Sequence, residues 1–405
     1  MRPHMSVRPV ESPVSRKCAV RRALATAALI AVTLVAAPAA HAIGPSLAPL
    51  PAQPSGVPFP TLEWEEATPA APDVDVPRLT AALEAAFAEP DPGRLRRTRA
   101  VIVVRGGRIV AERYAQGFAA GTPLLGWSMT KSLTNAFCGI LVGRGRLDVH
   151  VRADVPAWRD PADPRHAITL DQLLHASSGL RWSETYEASP FESDVIAMLF
   201  GAGHRDMPAY AAAKPLEHPP GTHWSYSSGT TLIVSDILRR AVGGTDADYH
   251  AFQRKALFER IGMKSAVVEP DAAGTFVGSS YSYATARDWA RFGLFFLRDG
   301  TWDGARILPE GWVDYSRTPA PAAPAGEYGA HFWLNAGVPD RGIARPDARA
   351  PADLFFASGH EGQVVAIVPS RDLVIVRLGL TPGDGRYDLK GFVAEVIAAF
   401  AEVAR

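Results

Sequence analysis

Two pairs of β-strand-like segments lie at opposite ends of this chain, and their placement constrains the fold more than any other feature. Towards the N-terminal end, Arg99–Arg105 and Arg108–Ala111 are rich in Val and Ile and flank Gly106-Gly107, a two-residue turn typical of a β-hairpin. Towards the C-terminal end, Gln363–Val368 and Leu373–Leu378 form a matching pair. Because helical patterns fill the sequence between, we predict one sheet built from both ends of the chain, with a mainly helical lobe inserted into it.

Helical periodicity marks the segments around and between these strands. Asp75-Val76-Pro77 predicts the start of a helix, because proline is favoured in the first helical turn. Further helices are predicted after Ser128, at 169–174, at 230–242, at 284–297 and, as the last element, at 392–400. Pro, Ala and Gly are concentrated in 317–326 and 338–352, which we predict to be surface loops.

The first 42 residues have the pattern of a secretory signal peptide. Basic residues between positions 16 and 22 precede an apolar run at 23–37, and Ala40-His41-Ala42 supplies the small residues that a signal peptidase recognises. We therefore predict cleavage after Ala42 and export to the periplasm or the medium. An uncleaved anchor is the alternative, although the run is short for a membrane span. No other apolar run is long enough to cross a bilayer, so no stable membrane insertion is expected after cleavage.

The rest of the chain divides into a lead-in and one folded domain. Residues 43–74 are rich in Pro and Ala and are predicted to be an extended segment that lies on the surface or is partly disordered. We predict that 75–405 folds as a single domain, with an α/β lobe formed by 75–127 and 350–405. The helical lobe is predicted to comprise 128–349.

Composition narrows the class of protein. With 405 residues, 47% of them hydrophobic, and a formal net charge of zero, the chain is globular in character. Binding to nucleic acid is not expected, since that needs a basic excess. After loss of the signal segment only Cys138 remains, so no internal disulfide is expected, and Cys138 is predicted to be a small buried apolar residue.

The strongest chemical motif is Ser128-Met129-Thr130-Lys131 at the start of a predicted helix. Positions three apart lie on one helix face, so the Ser128 hydroxyl and the Lys131 amine point into the same space. A serine needs a neighbouring base to act as a nucleophile, and a lysine can be that base if burial lowers its pKa. Taken alone, the motif is equally consistent with a capping serine and a solvated lysine.

Two further segments carry candidate functional residues. In Gly221–Gly229 the notable residue is Tyr226, because a phenol with an ordinary pKa near 10 can exchange a proton with a lysine of similar pKa. In Ser358–Gln363, glycines flank the polar pair His360-Glu361, which permits the close backbone approach of a ligand or an oxyanion hole. A core tyrosine and an ordinary strand-entry turn are the alternatives. The histidines show no metal-ligand spacing, so neither a metal nor a cofactor is expected.

In their order along the chain, these three motifs resemble the class C beta-lactamase-like serine hydrolases. That superfamily includes penicillin-binding DD-peptidases, beta-lactamase-type esterases and 6-aminohexanoate-dimer hydrolase. Shorter segments resemble the family as well: Gly143–Asp148, Leu173–Leu180, Pro220–Tyr226, Ile261–Met263 and Ala284–Asp288. The likeness extends from about Trp64 to the C-terminus. It implies an α/β, beta-lactamase/DD-peptidase-like fold, with an antiparallel sheet lobe, flanking helices and an inserted all-α lobe.

The resemblance also implies roles for individual residues. Ser128 matches the family's nucleophile, Lys131 its partner base and Tyr226 the tyrosine that shares the proton. Ser228 stands where the family commonly has Asn. Tyr186 resembles a substrate-contacting tyrosine of the 6-aminohexanoate-dimer hydrolase branch.

The third motif departs from the family pattern. His360-Glu361-Gly362 lies about where the family has Lys-Thr-Gly or His-Thr-Gly, in a register that the sequence leaves open. The resemblance implies an oxyanion hole from the backbone N–H of Ser128 and a second N–H near His360. Without the lysine of this motif, the fixed cation that holds a beta-lactam carboxylate is missing.

Together these features predict an exported serine hydrolase that cleaves an ester or amide bond in a small molecule or peptide. It would act through an acyl-enzyme on Ser128, with Lys131 and Tyr226 as the proton-transfer pair and no cofactor. A DD-peptidase or transpeptidase and a weak beta-lactamase are alternatives among enzymes. A catalytically silent binding or sensor protein of the same fold is the alternative from another class.

Overall fold

The computed structural model describes residues 49–65, 73–89, 95–186, 191–382 and 387–403. The predicted signal segment and its cleavage site lie outside these residues. The α-helices are α1 (Val76–Phe87), α2 (Thr130–Gly143), α3 (Leu170–Leu174), α4 (Asp194–Phe200), α5 (Met207–Ala212), α6 (Ser228–Val242), α7 (Asp246–Gln253), α8 (Glu259–Ile261), α9 (Ala286–Leu297), α10 (Trp312–Ser316) and α11 (Leu389–Ala398). A π-helical turn at Arg254–Phe258 joins α7 to α8.

The strands are mostly short. They are β1 (Thr98–Arg105), β2 (Arg108–Tyr114), β3 (Leu124–Leu125), β4 (Val267–Val268), β5 (Ser282–Ala284), β6 (Thr301–Trp302), β7 (Ala305–Arg306), β8 (Trp333–Leu334), β9 (Phe355–Gly359), β10 (Gln363–Val368) and β11 (Leu373–Gly379). Short 3₁₀ turns lie at Trp127–Met129, Pro156–Trp158, Pro164–Ala167, Pro339–Arg341, His360–Gly362 and Pro369–Arg371.

The largest sheet in the described residues is antiparallel and has the strand order β2-β1-β11-β10-β9-β8. Both hairpins predicted from the sequence are present. They join along β1 and β11, where Val103 pairs with Ile375. The prediction that the two ends of the chain build one sheet is therefore confirmed.

Helices cover both faces of this sheet. Val101 and Val103 of β1 face the layer of α1 and α11, where they pack with Val396 and Ile397. The alternating residues of β1 face the larger core, which includes α9. Gly293 of α9 allows a close approach, since a Cβ there would lie 2.4 Å from Cγ1 of Val374.

The segment inserted between the sheet strands is mainly helical and is organised around α2. Residues 130 to 141 of α2 are all buried, with α6 among the elements packed against it, so α2 is a central helix rather than a surface one. Two elements of the range predicted to form the helical lobe belong with the sheet instead. Strand β8 pairs with β9, and α9 packs on β1, β10 and β11. The apolar side chains of both elements pack against the sheet lobe.

Two predicted loop regions differ in burial. Residues 338–352 are mostly exposed, as expected, except for the buried Val338 and Ala350. The loop at 317–326 was predicted to be a surface loop, and this is wrong in part, because Ala320 and Ala323 are buried. These two small side chains pack with Tyr328 and Tyr226, so the loop forms part of the wall behind the candidate site.

The described part of the lead-in is attached to the domain. Trp64 is buried in the main core, and Trp302 donates a hydrogen bond from Nε1 to Oγ1 of Thr61 at 2.7 Å. Within the parts of the chain that the structure describes, no helix combines the length and the apolar character needed to cross a bilayer.

Candidate active site

Ser128 lies in the 3₁₀ turn that leads into α2, and this turn is held by its neighbours. The N–H of Gly126 donates to the carbonyl of Ser282 in β5 at 2.7 Å. Trp127 adopts a φ of 47°, a backbone conformation that a bulky residue rarely takes. As the second residue of a helical turn, Ser128 has a backbone N–H with no intrahelical acceptor.

Lys131 lies on the same side as Ser128, as the sequence predicts. Its Nζ is 3.1 Å from Oγ of Ser128, and it also lies 3.0 Å from Oγ of Ser228 and 3.1 Å from the carbonyl oxygen of Ser279. The amine sits 4.7 Å from the centre of the Tyr226 ring. The structure therefore brings together Ser128, Lys131, Tyr226 and Ser228.

Burial changes the chemistry of Lys131. Its side chain is 2% exposed, and desolvation lowers its pKa to about 8, while the negative charge of Glu184 opposes this shift. A substantial fraction of the side chain is then the neutral amine in mildly alkaline solution. That is the form that can accept a proton from Ser128.

Tyr226 is shifted in the opposite direction. Burial raises its pKa well above the usual value, and the nearby Tyr328 and Glu184 add to this, while a hydrogen bond with Ser128 opposes it. The expectation of similar pKa values for the lysine and the tyrosine is therefore wrong, because burial disfavours the charged form of each group. Pairs of groups whose pKa values are pushed apart identify the base and the acid. Lys131 thus has the properties of a base, and Tyr226 has those of a neutral phenol able to donate a proton.

The tyrosine is fixed by aromatic packing. Its ring stacks on Trp333 at 5.3 Å between centroids and meets Tyr328 edge-on at 5.6 Å. Trp333 is half-buried against Tyr226 and forms part of the support of the site.

Glu184 was not recognised from the sequence as a member of the site. Its Oε1 accepts a hydrogen bond from Oγ of Ser228 at 2.5 Å, and its Oε2 accepts one from the backbone N–H of Ser228 at 2.9 Å. Trp182 donates to the same carboxylate from Nε1 at 2.5 Å. The Glu184 carboxylate thus holds both the hydroxyl and the backbone N–H of Ser228.

Tyr186 and His360 form an aromatic wall beside Ser128. Their rings stack at 4.6 Å with an angle of 16°, and Trp127 meets both of them edge-on. The Tyr186 hydroxyl is buried beside the hydroxyls of Ser128 and Ser228 without forming a well-aligned hydrogen bond to either. Burial, followed by the charge of Glu184, raises the pKa of Tyr186.

The third motif lies at the end of β9 and in the turn that follows it. Strand β9 ends at Gly359, where a Cβ would lie 2.3 Å from the carbonyl oxygen of Gly126, so only glycine fits against the segment that precedes the nucleophile. His360–Gly362 then forms the turn into β10. Glu361 has a φ of 60°, and its Oε2 accepts a hydrogen bond from Nε1 of Trp127 at 3.2 Å. The motif therefore meets the nucleophile turn at Gly359, His360 and Glu361.

Gly362 is the last residue of this turn and has different neighbours. It packs against Arg377, a buried residue that donates to the carbonyl oxygens of Gly362 at 2.8 Å and Arg96 at 2.7 Å, and to Oγ1 of Thr98 at 2.9 Å. Burial lowers the pKa of Arg377 to about 10. This arginine anchors the turn that carries His360.

Comparison with known proteins places the chain in a family. The family model described as Beta-lactamase matches residues 83–398. The chain belongs to the beta-lactamase family. As a member of that family with relatives that are hydrolases, it is a serine hydrolase. Among its described residues, no group of three His, Cys, Asp or Glu side chains is arranged to hold a metal ion.

Two curated proteins are similar in sequence to this beta-lactamase-family protein. A 6-aminohexanoate-dimer hydrolase of Paenarthrobacter ureafaciens is 28% identical over 306 residues, which cover 70% of this chain and 73% of the relative. A D-aminopeptidase of Cereibacter sphaeroides is 29% identical over 234 residues, which cover 53% of this chain and 42% of the relative.

Solved structures show the same fold. A Bacillus anthracis protein provisionally named a 6-aminohexanoate-dimer hydrolase superposes with a TM-score of 0.64 at 22% identity and covers 84% of this chain and 88% of its own. A penicillin-binding protein homologue of Caulobacter crescentus superposes with a TM-score of 0.59 at 19% identity and covers 80% and 96%. The predicted beta-lactamase/DD-peptidase-like fold is therefore confirmed.

Proposed function

We propose that this protein hydrolyses a neutral ester or amide through an acyl-enzyme on Ser128, with Lys131 as the base and Tyr226 as the proton donor. The observation that carries the proposal is the 3.1 Å contact between Nζ of a buried Lys131 and Oγ of Ser128. Burying this amine, whose pKa is about 8, lowers the stability of the fold. A solvated lysine or an apolar side chain at this position would carry a smaller desolvation penalty.

The chemistry follows from the protonation states. Lys131 accepts the proton of Ser128 as Oγ bonds to the carbonyl carbon, and the resulting oxyanion is held by backbone donors such as the free N–H of Ser128. As the bond to the leaving group breaks, Tyr226 gives its proton to the departing oxygen or nitrogen. Lys131 returns the proton to Tyr226. Water then attacks the acyl-enzyme with the same base, which releases the acid and restores Ser128.

The wall of the site favours an uncharged substrate. His360, which stands about where the resemblance expects the family's lysine, stacks on Tyr186, and the Glu361 carboxylate lies beside it against Trp127. A carboxylate on a substrate beside this wall would be repelled by the Glu361 carboxylate. Relatives named for hydrolysing an aminohexanoate dimer and for aminopeptidase activity support amides within the range of substrates.

This proposal predicts a substrate preference. We expect kcat/KM for a small neutral ester or linear amide to exceed that for a chromogenic cephalosporin by a factor of 100 or more, on the order expected when a charge-assisted bond is missing and a like charge is added. Both substrates are measured on one preparation of wild-type enzyme. A cephalosporin rate equal to the ester rate would contradict the proposal for the substrate.

We further propose that the enzyme is exported. The basic, apolar and small-residue pattern of the first 42 residues supports this. Expression of the full chain followed by N-terminal sequencing of material outside the cytoplasm should give Ile43 as the first residue. An intact N-terminus on membrane-bound protein would instead support an uncleaved anchor.

A further inference from the structure

We infer that Glu184 is a positioning residue, which directs the Ser228 hydroxyl so that Lys131 presents its lone pair to Ser128. The inference rests on the proposed function and adds to it a group that touches neither the substrate nor the nucleophile. The contacts that carry it are the two hydrogen bonds from Ser228 to Glu184 and the three contacts of the Lys131 amine.

The first step concerns the Ser228 hydroxyl. An ionised carboxylate only accepts hydrogen bonds, so the 2.5 Å contact between Oγ of Ser228 and Oε1 of Glu184 uses the hydroxyl proton of Ser228. The backbone N–H of Ser228 donates to the other carboxylate oxygen. Glu184 therefore holds Ser228 at two points and leaves its hydroxyl oxygen able only to accept.

The second step concerns the amine of Lys131. In its neutral form it has two N–H donors and one lone pair. The carbonyl of Ser279 can only accept, and the Ser228 oxygen can only accept once its proton is engaged by Glu184. Both N–H groups are then used, and the lone pair remains for the third partner, Ser128. The Ser128 hydroxyl must donate to Lys131, which is the arrangement needed for proton transfer.

Without Glu184, the Ser228 hydroxyl would compete with Ser128 for the lone pair of Lys131. A free Ser228 hydroxyl can turn and donate its own proton to the lone pair of Lys131, so that an amine N–H faces Ser128 instead. The N–H and the hydroxyl of Ser228 donate to different oxygens of the Glu184 carboxylate, and glutamine in the same pose replaces one of those oxygens by an N–H₂ donor, so one of the two Ser228 donors loses its acceptor. With its oxygen on the backbone N–H, its amide N–H₂ would face the Ser228 oxygen and turn the hydroxyl proton towards Lys131.

Few of the titratable groups around the Lys131 amine change charge in the pH range in which Lys131 titrates. The titratable groups facing the amine are Glu184 from the segment after α3, Tyr226 from the segment before α6, and His331 from the segment before β8, with Tyr186 and Tyr328 behind them. Burial lowers the pKa of His331 to about 3 and raises the pKa of Tyr226 well above its usual value, so both stay neutral in mildly alkaline solution. Burial lowers the pKa of Lys131 to about 8, and the charge of Glu184 opposes part of that shift.

The test compares Glu184→Gln with wild type on a neutral ester over a range of pH. We expect kcat to fall by about ten- to a hundredfold, as for other groups that orient a reacting residue. The acid limb of kcat/KM should move to lower pH, because a negative charge that raises the pKa of Lys131 is removed. Glu184→Asp keeps the charge but shortens the side chain, so kcat should fall while the acid limb stays in place. Glu112→Gln, a substitution in β2 away from the site, should leave the acid limb unchanged.

A double variant separates orientation from a general structural effect. In the Glu184→Gln background, Ser228→Ala removes the competing hydroxyl, and we expect kcat to recover by several-fold over Glu184→Gln alone. An unshifted acid limb in Glu184→Gln, or no recovery in the double variant, would overturn the role of Glu184. Failure of wild-type enzyme to turn over any ester or amide would instead reject the proposed function. If Glu184→Gln does not fold, the Glu184→Asp profile decides, and unchanged kcat there would overturn the inference.

Discussion

Ser128→Ala should lower kcat on any ester or amide substrate by about 10⁴-fold or more, while the protein stays folded. The expected loss is large because this hydroxyl is the proposed nucleophile, and Ser228, whose hydroxyl also contacts the Lys131 amine, is held by Glu184. The side chain is half-buried in a helical turn, so replacing it with alanine removes no core contact. Steady-state kinetics and circular dichroism measure the two parts of the prediction.

Covalent labelling provides an independent measurement. A fluorophosphonate should modify Ser128 in wild type and leave Ser128→Ala unlabelled. Ser227→Ala is a matched control, because Ser227 adjoins Tyr226 but its Oγ caps α6 by accepting from the N–H of Thr230. That variant should lose about 1 kcal/mol of stability and keep its label. An adduct on another serine would contradict the assignment of the nucleophile.

Lys131→Met should lower kcat by about 10³-fold or more, since the general base is lost, and should change the pH dependence of stability. The folded-state pKa of Lys131 is about 8, against 10.5 for an unburied lysine. Between these values the unfolded chain binds more protons than the folded chain, so this group makes wild type more stable as pH rises. Below pH about 8 the folded state carries the full cost of a buried ammonium, on the order of 3 kcal/mol. Methionine carries no such cost.

The measurement is denaturant unfolding of wild type and variant at several pH values. The free energy of unfolding of Lys131→Met minus that of wild type should increase as pH falls from about 10.5 to about 8. Lys214→Met is the control of opposite sign, because its contact with Asp194 raises the pKa of Lys214 and its contribution is lost only at high pH. A stability difference for Lys131→Met that does not vary with pH would contradict a lowered pKa of Lys131.

The sequence alone determined the parts of this protein that depend on local pattern. Both hairpins follow from β-branched runs around short turns, and their positions at the two ends of the chain predict the shared sheet. The pairing of Ser128 with Lys131 follows from helix geometry, because residues three apart lie on one face whatever surrounds them. Tyr226 was found because its segment resembles a family motif, and the structure brings it to within 4.7 Å of the Lys131 amine.

Only the tertiary structure decided the chemistry of these groups. The pKa of Lys131 depends on how completely the surrounding elements remove water, and no local pattern reports that burial. The burial of Ala320 and Ala323 has the same origin, since a loop rich in Pro and Ala is covered or exposed according to what packs over it. The contact of Gly359 with Gly126, which brings the third motif against the turn that carries Ser128, is likewise a feature of the tertiary structure.

Glu184 shows most clearly what the sequence alone does not determine. It lies 44 residues before Ser228, in a segment without a regular pattern, and reaches the site only because the chain after α3 folds back against the start of α6. Its effect on Lys131 passes through the direction of one hydroxyl proton. The sequence specifies which side chains can react, whereas the direction of each hydrogen bond is set by groups that meet only in the folded protein, because a hydrogen bond depends on distances and angles that sequence separation does not determine.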